Sequence, residues 1–133
     1  AEPAESFETI FPLQVAFDSV NEDYRIQIKG LGAVRGGPAE VVHALKVPFD
    51  EDVANGLTLD AHRYVQPHLV TDFEIPSKDA ARQLVRRCRA ELAEFYVAIE
   101  GGPPPAPLLI ESSRGRGYRL DPTCKIISPD ALS

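Results

Sequence analysis

The chain lacks the features that mark a secreted or a membrane-spanning protein. It contains two cysteines, Cys88 and Cys124, which are too few for a disulfide framework. It has no apolar run near the ~20 residues that a membrane-spanning helix needs. Its first residues do not combine a basic stretch with an apolar core, as a secretory signal peptide does. We therefore expect a protein without membrane spans, located in the reducing cytoplasm.

Residue types that support catalysis or metal binding are also sparse. The histidines are His43, His62 and His68, and the last two miss the i, i+4 spacing that places two metal ligands on one helical face. The pair Ser112–Ser113 has no nearby histidine to activate a hydroxyl as a nucleophile. The acidic run 50–52 lacks the glycine and ligand spacing of a calcium loop. The sequence predicts no enzyme, no metal site and no cofactor.

The remaining composition is that of a folded domain with an uneven charge. Of the 133 residues, 44% are hydrophobic and 26% are charged, which is enough for one domain with its own core. The net charge of −6 argues against non-specific binding of nucleic acid by the chain as a whole. However, residues 1–76 carry a net charge of −8, residues 77–120 carry +3 and residues 121–133 carry −1. An acidic part is thus joined to a basic part.

The spacing of apolar residues and chain breakers predicts an α+β fold. A small N-terminal antiparallel sheet comes first, because residues 24–29 alternate between apolar and polar side chains. Three helices follow, and a glycine- and proline-rich linker separates the last helix from a β-hairpin. The expected segments are a mobile acidic arm (1–10), strands (11–17 and 24–29), a first helix (from Pro38, limited by Pro48), a second helix (from Asp60, bent or delayed by Pro67), a third helix (Ser77 to about Ile99), a hairpin (108–120) and a C-terminal tail (123–133).

The third predicted helix has two distinct faces. Its apolar stripe is expected to be buried and contains Ala81, Leu84, Val85, Cys88, Leu92 and Phe95. A polar stripe over the first two turns contains Asp79, Arg82, Gln83 and Arg86, with Arg89 at its edge. Arginine and glutamine side chains can read base edges, and basic side chains neutralise phosphates. The pattern favours a helix that lies in a DNA groove, and an ordinary solvated surface is the alternative.

Arginine and glycine alternate at the tip of the predicted hairpin. The residues are Arg114, Gly115, Arg116 and Gly117, and Arg119 follows on the returning strand. Glycine allows the backbone to approach a partner closely, and arginine can contact phosphate or enter a minor groove. The alternative is a hairpin whose glycines serve only the turn.

Residues 109–122, Leu-Ile-Glu-Ser-Ser-Arg-Gly-Arg-Gly-Tyr-Arg-Leu-Asp-Pro, resemble the closing hairpin of the OmpR-type winged helix-turn-helix family. Residues 85–92, Val-Arg-Arg-Cys-Arg-Ala-Glu-Leu, are similar to the end of that family's recognition helix. The resemblance implies a winged helix domain over 11–122 that binds double-stranded DNA. It implies that a recognition helix over 77–97 enters the major groove and that a wing over 108–120 lies near the minor groove.

Two functional hypotheses follow from these patterns. The first is a sequence-specific transcriptional regulator that binds double-stranded DNA through Lys78, Arg82, Gln83, Arg86, Arg89, Arg114 and Arg116. The second is a winged-helix interaction module in which the acidic region 1–76 binds a protein partner. In the second hypothesis that whole acidic region is the working surface, and mutation of the solvated acidic loop Asp50-Glu51-Asp52 should weaken capture of the partner. Neither hypothesis specifies an oligomeric state.

Overall fold

The computed structural model describes residues 12–21, 23–70 and 73–132, and these form a mixed α+β fold. The predicted acidic arm, 1–10, lies outside the described residues. The described part contains two α-helices, a four-stranded sheet and a two-stranded hairpin. The elements are β1 (Gln14–Val20), β2 (Asp23–Ile28), β3 (Gly32–Arg35), α1 (Gly37–Ala54), α2 (Lys78–Glu100), β4 (Ile110–Ser113), β5 (Gly117–Leu120) and β6 (Lys125–Ile127).

The four-stranded sheet has the order β3-β2-β1-β6. Strand β2 is antiparallel to both β1 and β3, as expected for the N-terminal sheet, while β6 runs parallel to β1. The alternation in β2 is confirmed, because Ile26 and Ile28 are buried while Arg25 and Gln27 are exposed. The segment predicted as a C-terminal tail, 123–133, instead contributes β6 to this sheet. Strands β3 and β6 were not predicted. They have four and three residues, which are too few to show a clear alternation of apolar and polar side chains.

Helix α1 runs through the proline that was expected to limit it. Pro48 lies inside α1 and is buried, although a proline in a helix interior removes one backbone hydrogen bond. Leu45, Phe49 and Asp52 are buried around it, so packing against the core offsets the loss of that bond. The prediction that 50–52 form a solvated loop is therefore wrong, because these residues lie in the last turns of α1.

The predicted second α-helix, from Asp60, is absent from the described residues. Two short 3₁₀ turns, Leu59–Ala61 and Pro67–Leu69, replace it. Between them Val65 is extended and exchanges two backbone hydrogen bonds with Tyr118, each 2.8 Å long. This pairing explains why the predicted helix does not form. A backbone N–H and C=O that bond a neighbouring strand cannot also make the i, i+4 hydrogen bonds of a helix. The described part thus contains two α-helices rather than three.

Helix α2 confirms the third predicted helix and its apolar stripe. The Ser77 Oγ accepts a hydrogen bond from the backbone N–H of Ala80 (3.1 Å) and caps the helix. Gly101 ends it in the left-handed conformation, with φ of 84°. Leu84 and Phe95 are half-buried, and the fully buried side chains are Ala81, Val85, Cys88, Leu92 and Tyr96.

A single hydrophobic core holds these elements together. Helix α1 contacts β2 and β3 of the sheet, β5 of the hairpin and helix α2. Both cysteines are buried in this core, and burial raises the pKa of the Cys88 and Cys124 thiols to about 12. The thiols are therefore protonated and unreactive at neutral pH. Within the described ranges, no helix combines the length and apolar character needed to cross a bilayer.

Candidate nucleic-acid interface

An open groove lies between the first turns of α2 and the β4–β5 hairpin. Its volume is about 420 Å³. The helix contributes Lys78, Asp79 and Arg82 to its lining, and the hairpin contributes Ser112, Ser113 and Arg114. We call this feature the α2–hairpin groove. It brings together basic side chains from two elements that are far apart in the sequence.

The helical wall of the groove is organised by the N-terminal turn of α2. The Ser77 cap fixes the start of the helix, so Lys78 and Arg82 follow one another along the same side at the i, i+4 spacing. Lys78, Arg82, Gln83 and Arg86 are all exposed. The carboxylate of Asp79 accepts hydrogen bonds from the Arg82 guanidinium and from the Gln83 Nε2 (3.1 Å). Two of the predicted contact residues are thereby oriented by one acidic side chain.

The hairpin wall ends in a tight turn that carries two exposed arginines. The backbone N–H of Arg116 donates to the carbonyl of Ser113 (3.0 Å), which closes the turn. Gly115 lies at its tip with φ of +81°, a conformation that favours glycine. Arg114 lines the groove, while the guanidinium of Arg116 lies 5.6 Å from the centre of the Tyr64 ring. The turn therefore presents one arginine to the groove and one to the Tyr64 side.

The hairpin is fixed to the rest of the domain by Arg119, which follows the arginine-glycine turn on the returning strand. Arg119 is largely buried and donates to the Glu111 carboxylate (2.8 Å) and to the His62 carbonyl (2.8 Å). Its guanidinium also lies 4.4 Å from the centre of the Tyr64 ring. These contacts connect β4, β5 and the segment before Val65. The role of Arg119 is therefore to position the hairpin.

Arg89 also makes a contact within the protein. Its guanidinium donates to the carbonyl of Ile110 (2.9 Å) and lies 6.0 Å from the centre of the Tyr118 ring. Its Nε is buried and has no hydrogen-bond partner in the part of the chain that the structure describes. The side chain holds α2 against β4. Arg89 is thus the one predicted contact residue that is only half-exposed, since the other six are exposed.

The structure brings together only part of the predicted site. Lys78, Arg82 and Arg114 line the groove, whereas Gln83, Arg86, Arg89 and Arg116 do not. The groove is also lined by four residues that were not predicted as contact residues, namely Gln66, Asp79, Ser112 and Ser113. The two serines directly precede the arginine-glycine turn, so their position in the sequence could have predicted that they lie beside Arg114. Gln66 reaches the groove only because its neighbour Val65 pairs with Tyr118, which no local pattern indicates.

The carboxylates of the acidic stretch 50–52 form ion pairs with two neighbouring basic residues. Asp50 accepts from Lys46 at 2.5 Å, and Glu51 accepts from Arg63 at 2.7 Å. Asp52 is 1% exposed and accepts from the backbone N–H (2.8 Å) and the Nε (2.7 Å) of Arg63. The hydrogen bonds that Arg63 donates to the carboxylates of Glu51 and then Asp52 raise its pKa. The pairs with Arg63 connect the end of α1 to the segment that follows it, and Asp52 is inaccessible to a partner.

His43 lies between α1 and the N-terminal sheet. The His43 ring forms an edge contact with Phe17 and packs at a tilt against Tyr24, and its Nε2 is 3.0 Å from the carbonyl of Arg25. Burial lowers the pKa of His43. In the described ranges, no three His, Cys, Asp or Glu side chains are grouped so that they could hold a metal ion. The histidine therefore belongs to the packing of α1 on the sheet.

Comparisons of the chain with models of protein families, with curated proteins and with solved structures found no match. The resemblance to the OmpR-type family therefore stays a prediction. The functional assignment depends on the geometry of the α2–hairpin groove.

Proposed function

We propose that the protein binds double-stranded DNA through the α2–hairpin groove and acts as a sequence-specific regulator in the cytoplasm. The observation that supports this proposal is the convergence of Lys78, Arg82 and Arg114, from a helix and a hairpin, on one open groove. Basic side chains in such a surface displace the counterions of the DNA backbone, which provides most of the general affinity. The acidic residues near the end of α1 pair with Lys46 and Arg63, which reduces the negative charge there without cancelling it.

The exposed side of α2 and the tip of the hairpin, which continue the surface on either side of the groove, suit different parts of a duplex. Arg82, Gln83 and Arg86 occupy the exposed side of the first turns of α2, and arginine and glutamine form bidentate contacts with guanine and adenine in the major groove. Arg114 and Arg116 stand at the tip of the hairpin, where a wing meets the backbone or the neighbouring minor groove. The hydroxyls of Ser112 and Ser113 are further donors for phosphate oxygens.

We also propose that the fold is a variant of the winged helix. Helix α1, the extended residue Val65, helix α2 and the β4–β5 hairpin follow one another in the order of a winged helix. The 3₁₀ turn at Pro67–Leu69 stands where the second helix of the helix-turn-helix is expected. In this arrangement the position of α2 depends on the hairpin and on α1 rather than on a preceding helix.

Selection from a pool of randomised duplexes tests the proposed function. The full chain is incubated with the pool at low salt and near ~150 mM salt, where screening weakens general attraction. We expect one motif to be enriched and to persist at the higher salt, because base contacts are less sensitive to salt than phosphate contacts. Weak binding without enrichment at either salt concentration would overturn the proposal.

A further inference from the structure

We infer that Asp79 is a specificity-determining residue of the DNA interface. In this inference, Asp79 holds Arg82 and Gln83 in position for base edges and keeps phosphate away from the first turn of α2. The inference rests on the proposed function, because it concerns how the same groove recognises a duplex. Asp79 is an acidic residue in a wall otherwise marked by basic side chains, and the DNA hypothesis did not assign it a role.

The contacts of Asp79 support a positioning role. Its two carboxylate oxygens are used separately, with Oδ1 accepting from the Arg82 guanidinium and Oδ2 accepting from the Gln83 Nε2 at 3.1 Å. The side chains of Asp79 and Arg82 remain 59% and 64% exposed, so the pair lies on the surface that a ligand would meet. Because both partners are fixed by one carboxylate, their donor groups are arranged relative to each other before a ligand is bound.

The charge of Asp79 supports the exclusion of phosphate. The start of a helix attracts anions, because its first N–H groups lack intrahelical partners and the helix dipole is positive there. Asp79 lines the groove at this end and occupies that favourable position with its own negative charge. Asp79 therefore disfavours a DNA phosphate at the first backbone N–H groups of the helix, while the N–H groups of Arg82 and Gln83 that do not bond Asp79 can still donate. Base edges, which offer neutral acceptors, are the contacts that this arrangement favours.

The D79N variant tests the inference, with E94Q as the matched control. Glu94 is an exposed acid in the C-terminal half of the same helix, so E94Q removes one negative charge far from the groove. Each protein is taken through the same selection from randomised duplexes and through titration with a non-selected duplex. We expect D79N to bind the non-selected duplex roughly three- to ten-fold more tightly, since one repulsive charge is lost. We also expect it to enrich a weaker motif than the wild type does.

A measurement on the free protein accompanies the selection. In D79N, the NMR signals of the Gln83 side-chain amide and the Arg82 Nε–H are expected to move, and in E94Q they are expected to stay in place. Thermal unfolding confirms that each variant is folded. If D79N enriches the same motif as strongly as the wild type, Asp79 does not determine specificity, although the proposed function stands. If the wild type itself binds no duplex, the proposed function falls and the inference falls with it.

Discussion

Replacement of Gly117 by alanine is expected to destabilise the protein by about 3 kcal/mol. Gly117 has φ of +117°, and a Cβ atom built there lies 2.2 Å from the carbonyl oxygen of Val65. The neighbouring atom belongs to the backbone, so a side-chain rotation cannot relieve the overlap. Relief requires the hairpin to move away from Val65, which breaks the two hydrogen bonds between Val65 and Tyr118. Unfolding by urea, followed by far-ultraviolet circular dichroism, measures the change.

Gly115 provides the matched control for this prediction. It lies two residues earlier in the same turn, with φ of +81° and no atom within 4 Å of a built Cβ. Alanine at this position is strained only by the left-handed backbone conformation, which lowers the free energy of unfolding by about 1 kcal/mol. The G115A variant should therefore lose much less stability than G117A. Equal losses in both variants would contradict the close approach of the hairpin to Val65, and with it the geometry of the α2–hairpin groove.

The second large effect is expected when both walls of the groove lose an arginine. In R82A/R114A, affinity for duplex DNA at about 100 mM salt should fall by roughly 10- to 100-fold, since each arginine contributes a charged contact. The dependence of log K on log salt should become shallower by about one unit of slope, because Arg114 contacts phosphate whereas Arg82 contacts base edges. Both side chains are exposed, so the fold is expected to be unchanged. Fluorescence anisotropy with a labelled duplex over a salt series measures both quantities.

A double variant on the N-terminal sheet removes the same charge at a different place. R25A/R35A replaces two arginines that pair with Asp18 and Asp23, at 2.5 Å and 3.3 Å respectively. Because neither residue lines the α2–hairpin groove, we expect this variant to lose less than about three-fold in affinity through general attraction alone. If R25A/R35A weakened binding as much as R82A/R114A, the interface would not be at the groove.

Local sequence patterns correctly predict the elements whose conformation is determined by neighbouring residues in the chain. The alternation of β2 places Ile26 and Ile28 in the core, and Ser77 marks the start of α2 through its hydrogen bond to Ala80. The two faces of α2 also follow from its spacing. In these elements, short-range preference and burial favour the same conformation, so the sequence alone is sufficient to predict them.

The errors arise where a distant contact decides the conformation. Pro48 indicates the end of a helix, but burial of its neighbours carries α1 to Ala54. The segment after Asp60 contains apolar residues at helical spacing, but the pairing of Val65 with Tyr118 holds it extended. Such long-range pairing leaves no trace in a window of neighbouring residues.

Only part of the candidate site could be predicted, because contacts between distant residues also decide which arginines face the groove. The polar stripe of α2 and the arginine-glycine turn are each visible as local patterns, and three predicted basic contact residues, Lys78, Arg82 and Arg114, meet in the groove. Arg89 and Arg119 have the same residue type but hold the hairpin in place, with hydrogen bonds to Ile110 and His62. The sequence does not distinguish an arginine that braces the fold from one that faces solvent. The position of each guanidinium in the folded protein makes that distinction.

Chemical-shift mapping with a short mixed-sequence duplex tests the location of the interface most directly. The protein is labelled with nitrogen-15, and backbone amide signals are followed as the duplex is added at low salt. We predict that the shifted signals belong to residues 77–86 at the start of α2 and to residues 112–117 in the hairpin. Shifts confined to the end of α1 around Glu51, or no shifts at all, would contradict the proposal that this groove binds DNA.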